Sequence, residues 1–453
     1  MKRLLIALTF LHGTGIAGAQ TAQVHLTLPE AVARGLEASH RVVELAARED
    51  AARAVQDQRG AATLPQVSLI ASYTRTNHVD EFGVPNASGG IRIIYPDIPD
   101  NLRTRVDLQW PIYTGGRLQA MTKAAGADAA AASHDRDAAR ADLKLEITRS
   151  YWAVVTARAS LHVVSQALGR TNAHLVDIRH QLSVGLVPPS DVLSVEAQEA
   201  RQRMLLIEAQ NIVETASADF RRLAGLEPET PFELVDALST PDLRERGADS
   251  RGQVPPSNAQ TPSNKTVADA ARASRPERKA LEFRIGAAAE RVNAASAGSL
   301  PVLTAISGYD FARPNPRIFP IQKEWKPSWD VGINVRWPVF DGGRTRAEAA
   351  EAIANRRAAE ARLREFDSII DVEIAQRTAD LRSAHASIEA AQAGVNAAAE
   401  ARRVLADRFQ AGVATNTDVL TAQVTLLQAE LDVTRAIANA RLAAARLDRA
   451  MGR

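Results

Sequence analysis

Two aspartates stand at matching places in the chain. Asp191 and Asp418 each follow a glycine, Gly185 or Gly412, at the same spacing, and each precedes Val-Leu at the start of a segment with helical period. Carboxylates there, beside Ser190 and Thr417, suit the orphan N–H groups and the positive end of a first helical turn. A second set alternates along short extended segments. Arg105, Asp107, Asn334 and Arg336 are polar; Val106, Leu108, Trp110, Val331, Ile333, Val335 and Trp337 lie between or beside them. This period puts charge on one face of a strand and hydrocarbon on the other. The nine histidines show no ligand spacing, and His174 and His180 fall off one helical face. Tyr151, Trp152 and Met204 read as packing groups. No nucleophile elbow, phosphate loop or metal motif occurs. These residue types predict no catalytic residue, no metal ligand and no cofactor.

The elements that must position these residues come twice. Trp110-Pro111-Ile112-Tyr113-Thr114-Gly115-Gly116-Arg117 returns as Trp337-Pro338-Val339-Phe340-Asp341-Gly342-Gly343-Arg344. The displacement that carries Trp110 onto Trp337 also carries Leu145-Glu146-Ile147 onto Val372-Glu373-Ile374, Gly185 onto Gly412 and Asp191 onto Asp418. Register kept without a gap over such a length demands a rigid repeated object. Upstream, Leu64-Pro65 pairs with Leu300-Pro301 at a larger displacement, so the one variable loop of each repeat lies before Trp110.

Ile147, Val154, Leu161, Leu168, Leu175 and Leu182 recur at heptad spacing, and the second copy keeps five of six apolar in Ile374, Leu381, Ile388, Val395, Arg402 and Phe409. A sustained heptad predicts a coiled-coil hairpin in each repeat. The division that follows has a signal peptide over 1–19 and a first repeat over 20–225. That repeat holds an opening helix over 29–63, strands over 65–75 and 103–113, a long helix over 117–184 and a return helix over 191–224. A Pro-rich connector over 226–273 precedes the second repeat, 274–453, with an opening helix over 275–298, strands over 301–311 and 329–340, a long helix over 344–411 and a return helix over 418–451.

Composition supports export. Met1-Lys2-Arg3, a short apolar run and Ala17-Gly18-Ala19 have the order of a secretory signal. The chain has no cysteine, hence no disulfide or thiolate site, and 55 basic against 53 acidic residues give no reason to expect nucleic acid. About ten alternating residues, apolar out and charged in, match a membrane β-strand as well as a half-exposed hairpin, and an exported chain favours the former. Four such strands cannot close, so copies must assemble around an axis. Two copies would supply eight strands and three would supply twelve.

The paired Leu-Pro, the paired Trp-Pro…Gly-Gly-Arg and the two Gly-x5-Asp-Val-Leu turns together resemble the TolC-type outer-membrane efflux family, over essentially the whole mature chain. The resemblance implies a mainly α fold with membrane β: a homotrimer with a twelve-stranded barrel in the lipid of the cell outer membrane, joined to a long periplasmic α-helical barrel. It implies a passive exit duct of a tripartite efflux or type I secretion system. A periplasmic adaptor and an inner-membrane pump of RND, ABC or MFS type would open its closed tip. It further implies that Asp191 and Asp418 line the narrowest passage, where a ring of acids favours cations, and that the Gly185 and Gly412 turns receive adaptor hairpins. Phe409 and Ala414 stand where a family latch can use tyrosine and arginine, which leaves closure to packing of Leu182 and Phe409. The competing reading, a periplasmic coiled-coil adaptor, expects one hairpin inserted in β-rich domains, whereas this chain has two.

Overall fold

The computed structural model describes residues 24–238 and 264–453; the expected signal peptide lies outside the described residues. Two long helices dominate, α3 (Arg117–Ser183) and α7 (Arg344–Gln410), each of 67 residues. At about 1.5 Å per residue each is roughly 100 Å long. Each turns back through a short loop into a helix of 35 residues, α4 (Pro189–Leu223) or α8 (Asn416–Ala450). Both turns are built alike. Gly185 and Gly412 take φ of 76° and 74°. The N–H of each glycine donates to Leu182 O or Phe409 O at 3.0 Å, and the next residue's N–H reaches Gln181 O or Arg408 O at 2.9 Å. That double bond pattern ends a helix on a left-handed residue, which glycine adopts without a Cβ penalty. The heptad positions quoted above are buried or half-buried throughout.

Two expected elements differ. The opening helix expected over 29–63 is broken at Ser39, whose backbone is extended (ψ 114°), into α1 (Leu28–Ala38) and α2 (His40–Ala61). The break lets α1 lie close on its neighbours. A Cβ added at Gly35 would meet Ile147 Cδ1 and Leu223 O at 2.5 Å, so no larger side chain fits there. The connector expected over 226–273 is not wholly irregular. It contains β6 (Phe232–Leu234), which pairs in parallel with β1 (Val24–Leu26), and α5 (Asn264–Ser274). The displacement that carries Leu64-Pro65 onto Leu300-Pro301 also carries α1 onto α5 and α2 onto the following α6 (Pro276–Ser296). α5 therefore belongs with the second opening segment. Pro276 in the first turn of α6 marks the same break that Ser39 makes.

Four strands form one antiparallel sheet in the order β2 (Gln66–Arg75), β5 (Asp100–Tyr113), β7 (Val302–Arg313) and β8 (Lys326–Arg336). The extra residues of the first copy form a hairpin, β3 (Phe82–Pro85) and β4 (Ile91–Tyr95), inserted between β2 and β5. The strand expected over 329–340 starts earlier and stops at Arg336, so Trp337 lies outside it. Its neighbour β7 begins at Val302, opposite Arg336, and Pro338 has no N–H to continue a ladder. Trp337 instead donates its indole N–H to Ser299 O at 3.2 Å.

The chain divides into two compact units. One holds β1, α1, α4, β6, residues 143–183 of α3, 380–410 of α7 and 416–445 of α8. The other holds α2, the four-stranded sheet, the β3–β4 hairpin, α5, α6 and the remaining parts of α3, α7 and α8. The first is pinned where Tyr151, fully buried, donates its hydroxyl to Asp236 at 2.7 Å; burial and that carboxylate push the Tyr151 hydroxyl far above the usual phenol range. In the second, Ile370, Ile374, Ala268, Ala271 and Ala450 make a core.

Candidate channel-lining sheet and helical tip

Side-chain alternation gives the sheet two unlike faces. Register places Leu69, Val106, Tyr309 and Trp329 in one row, and Val67, Leu108, Ser307 and Val331 in the next. Trp110, Ile333, Leu303 and Val335 continue that face. Trp329, Val331, Ile333 and Val335 are 73, 71, 67 and 60% exposed, which is costly in water for so continuous an apolar surface. The strands have 10, 14, 12 and 11 residues, enough to cross a hydrocarbon core. Trp329 and Trp337 bracket roughly 26 Å of chain at strand rise, as an aromatic girdle at each margin would require.

The other face is ionic. Arg105 reaches Asp107 at 2.6 Å, Asp310 at 2.8 Å and Asp330 at 3.2 Å, while Arg103 reaches Asp310 at 2.7 Å. Arg317 closes on Asp330 at 2.8 Å. Gly308 makes this geometry fit, because a Cβ there would collide with the Arg105 guanidinium. Asn334 and Arg336 lie further along the same face, exposed. Sequence inspection singled out Arg105 and Asp107 but missed Asp310, Asp330 and Gly308. Asp310 in fact sits on an alternating run, Gly308, Asp310, Ala312, and that period was the available signal.

At the tip, Leu182, Phe409 and Leu420 pack against one cluster of Leu175, Ile178, Val192 and Val195. The two aspartates, alike in sequence, differ in structure. Asp418 is the third residue of α8 and exchanges bonds with Thr415. The Thr415 N–H and hydroxyl donate to its carboxylate at 2.9 and 2.7 Å, and the Asp418 N–H returns to the Thr415 hydroxyl at 3.2 Å. The cap is therefore Thr415, not Thr417, in a capping-box arrangement. Those donors hold the Asp418 carboxyl below the usual carboxylate range. Asp191 caps nothing. α4 starts after Pro188 with no side-chain cap, since Pro189 at its first position lacks one of the N–H groups a cap would serve. The Asp191 carboxylate, half-exposed, has no hydrogen bond among the described residues.

A residue that sequence inspection passed over joins the hairpins. Asn416, 3% exposed, donates its amide to the Asp191 carbonyl at 3.1 Å and faces His174 Nε2 at 2.9 Å with its oxygen. That orientation makes Nε2 the donor, whatever the charge of the ring. The His174 ring also stands edge-on to Phe409, with centroids 5.7 Å apart. Thr171 donates to Gln423 at 3.1 Å and Arg170 to Glu430 at 2.8 Å further along the same helices. Among the described residues no group of three or more His, Cys, Asp or Glu could hold a metal ion, and no helix is long and apolar enough to cross a membrane.

The model of the family described as outer membrane efflux protein matches residues 31–226 and 267–453. The chain belongs to that family. Membership places it at the outer membrane and makes it a channel protein, not an enzyme, as the sequence resemblance implied. Among its relatives, Protein CyaE of Bordetella pertussis is 27% identical over 327 residues, a match spanning 72% of this chain and 65% of CyaE. Outer membrane protein TolC of Vibrio cholerae is 22% identical over 426 residues, 94% of this chain and 90% of that one. The solved structure of VceC, also from Vibrio cholerae, superposes with a TM-score of 0.75 at 20% identity, covering 94% of this chain and 96% of VceC, and so shares the fold.

Proposed function

We propose that this chain forms the outer-membrane exit duct of a tripartite efflux or type I secretion system, as a homotrimer. The observation that carries the reading is the open four-stranded sheet. It has an exposed apolar face, an ionic face and two edge strands, β2 and β8, whose outer edges pair with no strand among the described residues. An open edge is unsustainable in lipid, so β8 of one copy pairs with β2 of the next. Three copies give twelve strands, with Val106, Leu108, Trp110, Val331, Ile333 and Val335 toward lipid, Trp337 at the margin, and Arg105, Asp107, Asn334 and Arg336 toward the lumen.

The two hairpins per chain then supply a helical wall whose turns at Gly185 and Gly412 form the periplasmic tip. Leu182 and Phe409 close it by packing, with Asn416 tying the hairpins together. Asp191 is the acid free to face the passage; Asp418 is largely committed to its cap. A periplasmic adaptor and an inner-membrane pump open the tip, and the duct itself performs no chemistry. Reconstitution in planar bilayers tests this reading. Discrete conductance steps are expected from the purified assembly, and bilayers that stay silent with protein inserted would contradict it.

A further inference from the structure

An apolar trough runs along α3 where α4 and α8 flank it. Its lining residues all belong to the compact unit that holds β1, and they enclose about 450 Å³. Small-molecule sites occupy roughly 300–1,000 Å³. The apolar walls are Trp152 and Val164 of α3, Leu205 and Ile212 of α4, and Leu431 and Leu442 of α8. Space remains among them because the lining positions Ala153, Ala157, Ala209 and Ala438 carry only a methyl group. Leu205 and Ile212 are 37 and 56% exposed, whereas Trp152 is buried, with the Arg441 guanidinium 5.4 Å from its ring.

The duplicated fold does not require this lining. The displacement that carries Gly185 onto Gly412 carries Trp152, Leu205 and Ile212 onto Ala379, Asp432 and Asn439, and Arg149 onto Gln376. Yet α7 and α8 match α3 and α4 in length. A hairpin of the same size therefore forms without these side chains, so the hydrocarbon that α4 leaves exposed here serves something other than the hairpin. Charge gives the trough two unlike ends. Arg179 on Glu196 and Glu146 beside Arg222 set α3 and α4 antiparallel. That arrangement puts Glu208 about level with Val164 and leaves Arg149 at the opposite end, roughly 22 Å away. Arg149 meets no carboxylate among the described residues, and Arg435 is engaged by Asp432 at 3.4 Å. An anion is thus drawn to Arg149 and repelled by Glu208.

We propose that this trough binds a long-chain carboxylate, with the alkyl chain along Trp152, Leu205 and Ile212 and the carboxylate on Arg149. The alanines supply the volume, the run along α3 supplies the length, and the guanidinium fork decides which end holds the head. The site uses neither the sheet nor the tip turns, and it stays open to solvent in the assembled protein.

Dodecanoate is the probe. Full-length protein in a non-ionic detergent, titrated below the micelle concentration of the acid and weighed intact, should gain one saturable adduct per chain. Arg149→Gln should raise the dodecanoate Kd about tenfold, while dodecanol, which lacks the charge, should bind that variant and the unaltered chain alike. Ala157→Leu with Ala209→Leu fills the trough and should abolish both adducts at unchanged oligomer mass. Where that filled variant does not fold, a bromododecanoate replaces it as the test. Saturable quenching of tryptophan emission that disappears in Trp152→Phe would support the site, and equal quenching in both proteins would overturn it. No saturable adduct, or a dodecanoate Kd unmoved by Arg149→Gln, would also overturn the proposal. None of these results bears on whether the protein conducts in bilayers, so the duct reading stands or falls separately.

Discussion

On the sheet, Arg105 touches three carboxylates and Asp310 receives two guanidiniums, so the lattice is held at its centre by more than one bond. At the tip, His174, Asn416 and the Asp191 carbonyl form a single line, and breaking one link breaks it all. One chain can thus hold a fixed part and a yielding part. Multiply connected charges on a rigid ladder stay put, because losing one bond leaves others in place. A lone buried amide between helices offers about 1 kcal/mol per bond, which the contacts of a docking partner can exceed. Apolar packing follows the same division. The sheet presents its hydrocarbon outward, and the tip presents it inward against Val192 and Val195.

The contrast meets its hardest trial where the fixed part is spoiled. Ile333→Arg puts a charge near the middle of the apolar face, at a cost of roughly 2–4 kcal/mol per copy in lipid. Oligomer recovered from outer membranes should fall steeply; an undiminished yield would remove the barrel assignment. Next in size, Arg105→Met leaves Asp107 without a cation, while Asp310 keeps Arg103 and Asp330 keeps Arg317. The loss should be roughly 2 kcal/mol, read as a lower unfolding temperature in detergent. A shift of the reversal potential toward cation selectivity should accompany it if that face lines the lumen.

The yielding part should respond less in stability and more in gating. Asn416→Ala removes the bridge between His174 and the Asp191 carbonyl at about 1–3 kcal/mol. Phe409→Ala removes the ring that His174 meets edge-on. Both should raise the frequency of channel opening in bilayers while leaving sheet assembly intact. Equal opening in wild type and both variants would argue against a tip held by packing and this amide.

What could be read in advance depended on the range of the interaction. The long helices and their turns were legible because heptad spacing and a terminal glycine are local signals: Gly185 and Gly412 sit just beyond the expected helix ends. The strand faces were legible because alternation is local too. The partners of Arg105 were not, since Asp310 and Asp330 belong to the second repeat and only the β5·β7 and β7·β8 pairings bring them near. Asn416 was hidden for the same reason, and because its counterpart in the first copy is Pro189. The miss at the Asp418 cap was of another kind. The sequence pointed to Thr417 beside Asp418, with the helix expected from 418; α8 starts at Asn416, which moves the cap to Thr415. α5 was obscured by the Pro-rich stretch before it, although the displacement between the two Leu-Pro pairs extends to it.

The smallest expected effect concerns that cap. The Asp418 carboxyl is depressed in the folded chain, so its contribution is present above the ordinary carboxylate pKa and is lost as pH falls through the depressed value. Hydrogen exchange in the first turn of α8 should quicken at acid pH relative to the exchange expected from pH alone. Asp418→Asn should quicken it at neutral pH and flatten that dependence. Asp191→Asn should leave exchange at the start of α4 unchanged, because Asp191 caps nothing.

Native mass spectrometry of the protein extracted in detergent from outer membranes decides whether other copies close the sheet. A trimer is the expected result. A stable monomer, or protein recovered only from the soluble periplasm, would contradict the shared barrel.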